Sequence, residues 1–167
     1  MTVQFFIPGL PAPGGSKKAF VFNGRARLVD AGKNNKSWKQ DVKVFAAKAM
    51  SGREPFKCPL RVEMCFYSPR PQAHFGTGKN VGTLKASAPR HITKKPDVLK
   101  LARSTEDAMT GVVYHDDAQT VCLVLVKKWC DESSPPGCRV IVQPLSNMLD
   151  SYDATPNSTP LLNGMKA

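Results

Sequence analysis

Alternating apolar and polar residues predict six strands. Residues 60–67 show the pattern clearly, with Leu60, Val62, Met64 and Phe66 on one face. Further strands are predicted over residues 2–7, 118–128 and 139–143. A hairpin is predicted from 20–22 to 26–29, because Asn23-Gly24 between two alternating segments is typical of a tight turn.

Apolar residues at helical spacing predict two helices, over residues 35–50 and 98–110. We assign Trp38, in the first helix, to the core, while the other side of that helix carries a basic stripe of Lys36, Lys39, Lys43 and Lys48. The second helix has two contrasting faces. Its buried face is predicted to hold Val98, Leu101, Ala102, Thr105, Ala108 and Met109, and the opposite stripe Leu99, Arg103, Glu106 and Thr110.

The order of these elements predicts an α+β fold, a small mixed or antiparallel sheet with two helices packed against it. Residues 68–95 are long, irregular and rich in Pro, Gly, His and Lys, as functional or disordered loops often are. After Pro144 the composition shifts to Ser, Asn, Thr, Pro and acids. We therefore predict one domain over residues 1–144 and a flexible C-terminal tail over residues 145–167.

Charge favours a nucleic-acid partner. The 167 residues include 24 Lys and Arg against 13 Asp and Glu, a formal net charge of +11. Eight basic residues and a single acid lie between Arg70 and Arg103. A broad basic surface suits a polyphosphate partner, since each cation beside a phosphate releases a counterion. The alternative is a solvated surface without such a partner.

Other features argue against a membrane, secreted or zinc-binding protein. The longest apolar run is the six residues 121–126, far below the roughly 20 that span a bilayer, and the chain begins with a strand pattern instead of a basic leader. The five cysteines lack C-x-x-C spacing, which favours reduced thiols over zinc. We expect a cytoplasmic protein without a membrane partner.

Residues 95–119 contain the candidate chemistry, since acids lie at both ends of the second helix. Asp97 follows Pro96 where that helix begins, and Asp116-Asp117 precede the next strand. These acids converge only if that strand pairs or crosses near the helix start, which the sequence leaves open. Structural roles are the alternative: Asp97 as the helix N-cap, Asp116-Asp117 as an exposed turn, and Glu106 and Asp107 as surface partners of Arg103 or Lys100.

The same segment, K-P-D-x-x-K-L-x-R-x-x-x-D-A-M-T-G-V-V-Y-x-D-D-A-Q, resembles the signature of RusA-type Holliday-junction resolvases of bacteria and their phages. The similarity extends over residues 3–143, with F-x-I-P-G-x-P at 5–11, Gly-Ser-Lys-Lys at 15–18 and a lysine at 127. The resemblance implies a RusA-like fold and a homodimeric endodeoxyribonuclease that cuts four-way DNA junctions symmetrically. It also implies Mg²⁺ as cofactor, with Mn²⁺ as a substitute, in a bacterial or phage-infected cytoplasm.

The resemblance also suggests site residues. The family's acidic positions fall on Asp97 and Asp117 and its basic catalytic position on Arg103, but a third acidic position falls on Leu99. A divalent ion between protein and phosphate needs oxygen ligands, usually carboxylates. Replacements for the missing acid are Glu106, Asp107 and Asp116. The predicted catalytic set is Asp97, Asp117, Arg103 and Glu106, and the predicted metal ligands are Asp97, Asp117 and Asp116.

DNA contacts are predicted from Lys17, Lys18, Arg70, Lys79, Lys85, Arg90, Lys94, Lys95, Lys100 and Lys127. For the long loop, a flexible and solvated segment is the alternative. Two other functions stay open. Leu99 motivates a junction-binding protein that has lost cleavage, and the basic charge alone would suit an RNA- or single-strand-binding module, although aromatic residues make up only 8% of the chain.

Overall fold

The computed structural model describes residues 2–15, 17–30, 34–131 and 133–145, which form an α+β fold as predicted. The tail from residue 146 onward lies outside the described residues. No helix within the described ranges is long and apolar enough to cross a membrane. The strands and helices, in chain order, are β1 Val3–Pro8, β2 Lys17–Phe22, β3 Arg25–Asp30, α1 Asn35–Met50, β4 Leu60–Ser68, α2 Val98–Met109, β5 Thr120–Trp129 and β6 Gly137–Pro144.

Four strands form one mixed sheet in the order β1-β6-β4-β5. Strand β6 pairs antiparallel with both β1 and β4, whereas β4 and β5 run parallel. Met64 in β4 lies opposite Leu125 of β5 and Val140 of β6. The remaining strands, β2 and β3, form a separate hairpin around the predicted Asn23-Gly24 turn.

Both helices pack their apolar faces into one core with the sheet, and Trp38 is buried there as predicted. The indole Nε1 of Trp38 donates a hydrogen bond to Oγ1 of Thr105 on α2 (3.1 Å), and that hydroxyl donates to the carbonyl of Leu101 (3.0 Å). The Ser104 hydroxyl donates to the buried side chain of Asn35 on α1. Because these polar atoms are buried, their hydrogen bonds fix how α1 and α2 pack. The predicted buried face of α2 is confirmed, except that Val98 is only half-buried and Ser104 is buried as well.

Helix α2 runs antiparallel to β5. This arrangement decides whether the acids at the two ends of α2 converge, which the sequence left open. At one end, Nζ of Lys127 in β5 donates to the carbonyls of Pro96 (2.9 Å) and Lys94 (3.0 Å), just before the helix begins. At the other end, Glu106 lies beside Thr120, the first residue of β5. The residues that precede β5 therefore meet the C-terminal half of α2, and not its start.

The irregular segment before α2 is organised around Trp129 at the end of β5. The guanidinium of Arg70 lies 5.3 Å from the centre of the indole ring, and the His74 ring meets the indole edge-on at 5.2 Å. The Trp129 Nε1 donates to the carbonyl of Pro89 (3.1 Å). This segment also contains two short 3₁₀ turns, at Gln72–His74 and Gly78–Asn80. It is an ordered loop held by side chains, and the sequence pattern did not reveal that anchor.

Candidate active site on the exposed stripe of α2

The predicted polar stripe of α2 faces away from the core. Leu99, Arg103 and Thr110 are exposed, and Glu106 is half-buried. Leu99, at the family's acidic position, is 69% exposed and has no core role. The stripe therefore presents one cation and one partly desolvated carboxylate on a rigid helix.

Glu106 carries the carboxyl group of this stripe, and its pKa is raised. Loss of hydration on burial raises its pKa, the neighbouring Thr120 hydroxyl lowers it in part, and the negative charges of Asp117 and Asp107 raise it further. Oγ1 of Thr120 is buried beside this carboxylate, and no other partner for it lies within the described residues. Glu106 therefore lies within electrostatic reach of Asp117, where a cation would offset the two negative charges.

Asp117 is presented by a 3₁₀ turn over Asp117–Gln119, immediately before β5. Asp116 caps this turn: its Oδ1 accepts from the Ala118 N–H (2.8 Å), while Oε1 of Gln119 accepts from the Asp116 N–H (3.0 Å). Nε2 of Gln119 donates to the carbonyls of Phe56 and Cys58. The D-D-x-Q sequence is therefore a capping box in which Asp116 has a structural role and Asp117 projects from the turn into solvent.

Asp97 occupies the N-cap position of α2, but its carboxylate makes no capping hydrogen bond. The alternative interpretation, in which Asp97 caps the helix through its side chain, is therefore wrong. Its carboxylate instead lies 3.8 Å from Nζ of Lys100, in an ion pair whose partners are both more than half exposed. Nine residues of helix separate Asp97 from Glu106, about 13 Å along the axis. The role of Asp97 as a metal ligand stays a prediction.

Arg103 lies against a glycine loop that the sequence did not connect with it. A Cβ added to Gly15 would lie 3.3 Å from Cδ of Arg103, and one added to Gly14 would lie 3.1 Å from Cα of Ser104. The Gly14 N–H donates to the carbonyl of Lys100 (2.8 Å), which holds the loop on α2. A Cβ at either position would make an unusually tight contact, and Gly15 also has a φ of +80°, so the Gly14-Gly15 pair could have signalled a close backbone contact.

The carboxylates present suit a hydrated divalent ion. No group of three or more His, Cys, Asp or Glu side chains within the described ranges gathers into a metal site. Mg²⁺ nevertheless keeps several waters and is commonly bound through one or two carboxylates together with substrate phosphate. Glu106 and Asp117, with the buried hydroxyl of Thr120 beside Glu106, fit that description.

The predicted DNA-binding residues fall into three groups. Arg70, Lys85 and Lys127 donate hydrogen bonds to backbone carbonyls and so brace the loop and the start of α2. Lys17 and Lys18 begin β2, and their side chains lie outside the part of the chain that the structure describes. The remaining residues are exposed: Lys79, Arg90, Lys94, Lys95 and Lys100.

Neighbouring carboxylates and an arginine, on a domain of net charge +11, are typical of metal-dependent enzymes that cleave phosphodiesters. Comparison with known proteins agrees. The chain matches the model of the family described as endodeoxyribonuclease RusA over residues 9–143, and so belongs to that family of Holliday-junction resolving endonucleases. RusA-type nucleases act on branched DNA and depend on a divalent metal ion. The resemblance in residues 95–119 is thus confirmed.

One curated relative is similar over most of both chains. It is the uncharacterized protein YqaN of Bacillus subtilis (strain 168), 26% identical over 144 residues, which cover 86% of this chain and 97% of the relative. The match shows that the domain occurs without a long additional segment in another protein.

Proposed function

We propose that this protein is a homodimeric, Mg²⁺-dependent resolvase that cuts four-way DNA junctions by paired, symmetric nicks. The observation that carries the proposal is that Glu106, Asp117 and the buried Thr120 hydroxyl lie at one end of α2, with Arg103 about one turn away on the same helix. Family membership supplies the reaction class, and the net charge of +11 supports a polyphosphate substrate.

Each of these residues has a distinct role in the proposal. Glu106 and Asp117 hold the ion, which when bound polarises the scissile phosphodiester and lowers the pKa of a water. The capping box of Asp116 keeps Asp117 in place. Arg103, held against Gly15, stabilises negative charge that develops on the phosphate oxygens.

In the proposal, Asp97 acts at the start of α2, at the opposite end of the helix from Glu106. Its carboxylate is not used as a helix cap, and Lys127 fixes the backbone immediately before it. At the helix start this carboxylate could hold a cation in place of its ion pair with Lys100. Two copies related by a two-fold axis would present two such sites to opposite strands of a symmetric junction.

The test incubates the purified protein with an end-labelled four-way junction, with and without Mg²⁺. We expect metal-dependent nicks at symmetric positions, abolished by Asp117→Asn and strongly reduced by Glu106→Gln. Glu54→Gln is the matched control, because Glu54 is exposed and is not among the charged groups that shift the pKa of Glu106. Both active-site variants should still bind the junction, since phosphate contacts come mainly from basic residues.

The absence of an acid at Leu99 favours one alternative, a junction-binding protein without cleavage activity. Tight retention of the junction with no nicks under any divalent ion would support that alternative and contradict the proposal. Nicks on only one strand would refute paired cleavage while leaving the nuclease activity standing.

A further inference from the structure

A second basic surface lies on α1, next to the candidate active site. One face of α1 and the neighbouring part of α2 enclose an open groove. It contains none of the residues assigned above to DNA binding. Its lining consists of Asn35, Lys36, Lys39, Gln40, Lys43, Asp107 and Ala108.

The charge of this groove is positive even after its internal ion pair is counted. Nζ of Lys39 lies 2.9 Å from Oδ2 of Asp107, the one acid in the lining, so these two charges balance. Lys36 and Lys43 are exposed and form no salt bridge with any acid in the described ranges. Two uncompensated ammonium groups therefore project from one face of a rigid helix.

The spacing of these lysines matches a phosphate backbone. Lys36 and Lys43 are seven residues apart, which places them on nearly the same azimuth and about 10 Å apart along the helix axis. Along duplex DNA each strand carries a phosphate every 3.4 Å or so of axial rise, so about three successive phosphates would pass beside this face. Lys39 lies between them, so Lys36, Lys39 and Lys43 form one row along the helix.

We propose that this groove binds the phosphate backbone of one arm of the DNA junction and guides it to the active site. Asp107, in the groove wall, directly follows Glu106 in α2, so the groove borders the stripe that carries Glu106. The Lys39–Asp107 pair ties α1 to α2 at this point and fixes the orientation of the row. This inference rests on the proposed function, because it names where the substrate of the same site lies.

The test measures binding of a four-way DNA junction as a function of salt, by fluorescence anisotropy without divalent ions. The variant Lys36→Gln/Lys43→Gln removes the two uncompensated charges and leaves the Lys39–Asp107 pair intact. Each lost phosphate contact lowers the slope of log K against log salt by about 0.9, so we expect a decrease of about 1.8. Affinity at about 0.1 M salt should fall by about tenfold or more.

The matched control is Lys48→Gln/Lys57→Gln, which removes the same net charge from exposed positions outside the groove. The prediction that Lys48 shares one stripe with the other three lysines is wrong, because Lys48 lies about 140° around α1 from the centre of their row and outside the groove. The control should therefore keep nearly the full slope. The conservative Lys36→Arg/Lys43→Arg should also keep it. Melting temperatures of all three should match that of the unmodified protein, because the substituted residues are exposed.

Two failures are distinguishable. If the unmodified protein binds and nicks the junction but the groove variant changes the slope no more than its control, the groove proposal is wrong and the proposed function stands. If the unmodified protein shows no preference for the junction over duplex DNA of equal length, the proposed function itself is wrong.

Discussion

Glu106→Gln tests whether this half-buried carboxylate replaces the acid that is missing at position 99. The substitution keeps the shape of the side chain and removes one charge from the pair formed with Asp117. If Glu106 has a purely structural role, the Glu106→Gln protein should lose little affinity for the cation. If Glu106 is a ligand, the variant should lose much of that affinity. The same substitution therefore separates the two roles without reference to DNA cleavage.

The size of the effect follows from charge and burial. A divalent ion about 4 Å from a carboxylate interacts by about 8 kcal/mol at an effective dielectric constant of about 20, and by about 2 kcal/mol in bulk water. Glu106 is half-buried, so its interaction lies between these limits, and the water that replaces a ligand oxygen restores part of it. We expect Mn²⁺ affinity to fall by about 10- to 100-fold, or about 1.4 to 2.8 kcal/mol.

The assay titrates Mn²⁺ into the protein without DNA and follows the free ion by electron paramagnetic resonance. Asp117→Asn should weaken binding similarly, and Glu54→Gln should leave it unchanged. Leu99→Asp in the Glu106→Gln background should not restore affinity, since position 99 lies about 10 Å along the helix from position 106. Unchanged affinity in Glu106→Gln, or full rescue by Leu99→Asp, would show that the ion binds near Asp97 instead.

Three further outcomes are expected. The pKa of Glu106 is raised in the folded protein, so its carboxyl group holds a proton more tightly there than in the unfolded chain. The free energy of unfolding therefore decreases as the pH rises above about 4.5, the ordinary pKa of the group. In thermal melts Glu106→Gln should therefore be more stable than the unmodified protein at about pH 8 and equal to it near pH 4, and equal stability at both would contradict the assigned pKa shift. Thr105→Val leaves the Trp38 N–H without its acceptor and should cost about 1–3 kcal/mol in denaturant unfolding; an unchanged midpoint would show that the hydrogen bond contributes nothing. Lys127→Met removes the hydrogen bond to the Pro96 carbonyl just before Asp97 and should slow junction cleavage more than it weakens junction binding. Equal losses of cleavage and binding would argue against a positioning role for Lys127.

The local elements of this fold were predictable because each depends on short-range periodicity. Helix α1 begins and ends at the predicted residues, and α2 ends one residue early, at Met109. Strand β5 begins later than predicted, since Asp117–Gln119 form a capped turn instead of strand. The capping box could have been recognised from Asp116 and Gln119 alone.

The candidate site was predictable in composition but not in arrangement. The motif places Arg103, Glu106 and Asp117 in one segment, and helical spacing places the first two on one exposed stripe. Which end of α2 meets Asp117 depends on the parallel pairing of β5 with β4, a strand about 60 residues earlier in the chain. Periodicity carries no information about such pairings.

By itself the sequence determined the elements, the basic character and the segment that bears the chemistry, because backbone hydrogen bonding and side-chain spacing act over a few residues. Tertiary structure alone decided that Glu106 lies within electrostatic reach of Asp117, that Gly15 lies close to Arg103, and that α1 and α2 enclose a basic groove. These contacts join residues far apart in the chain, and they form only when the apolar faces of α1, α2 and the sheet are buried together.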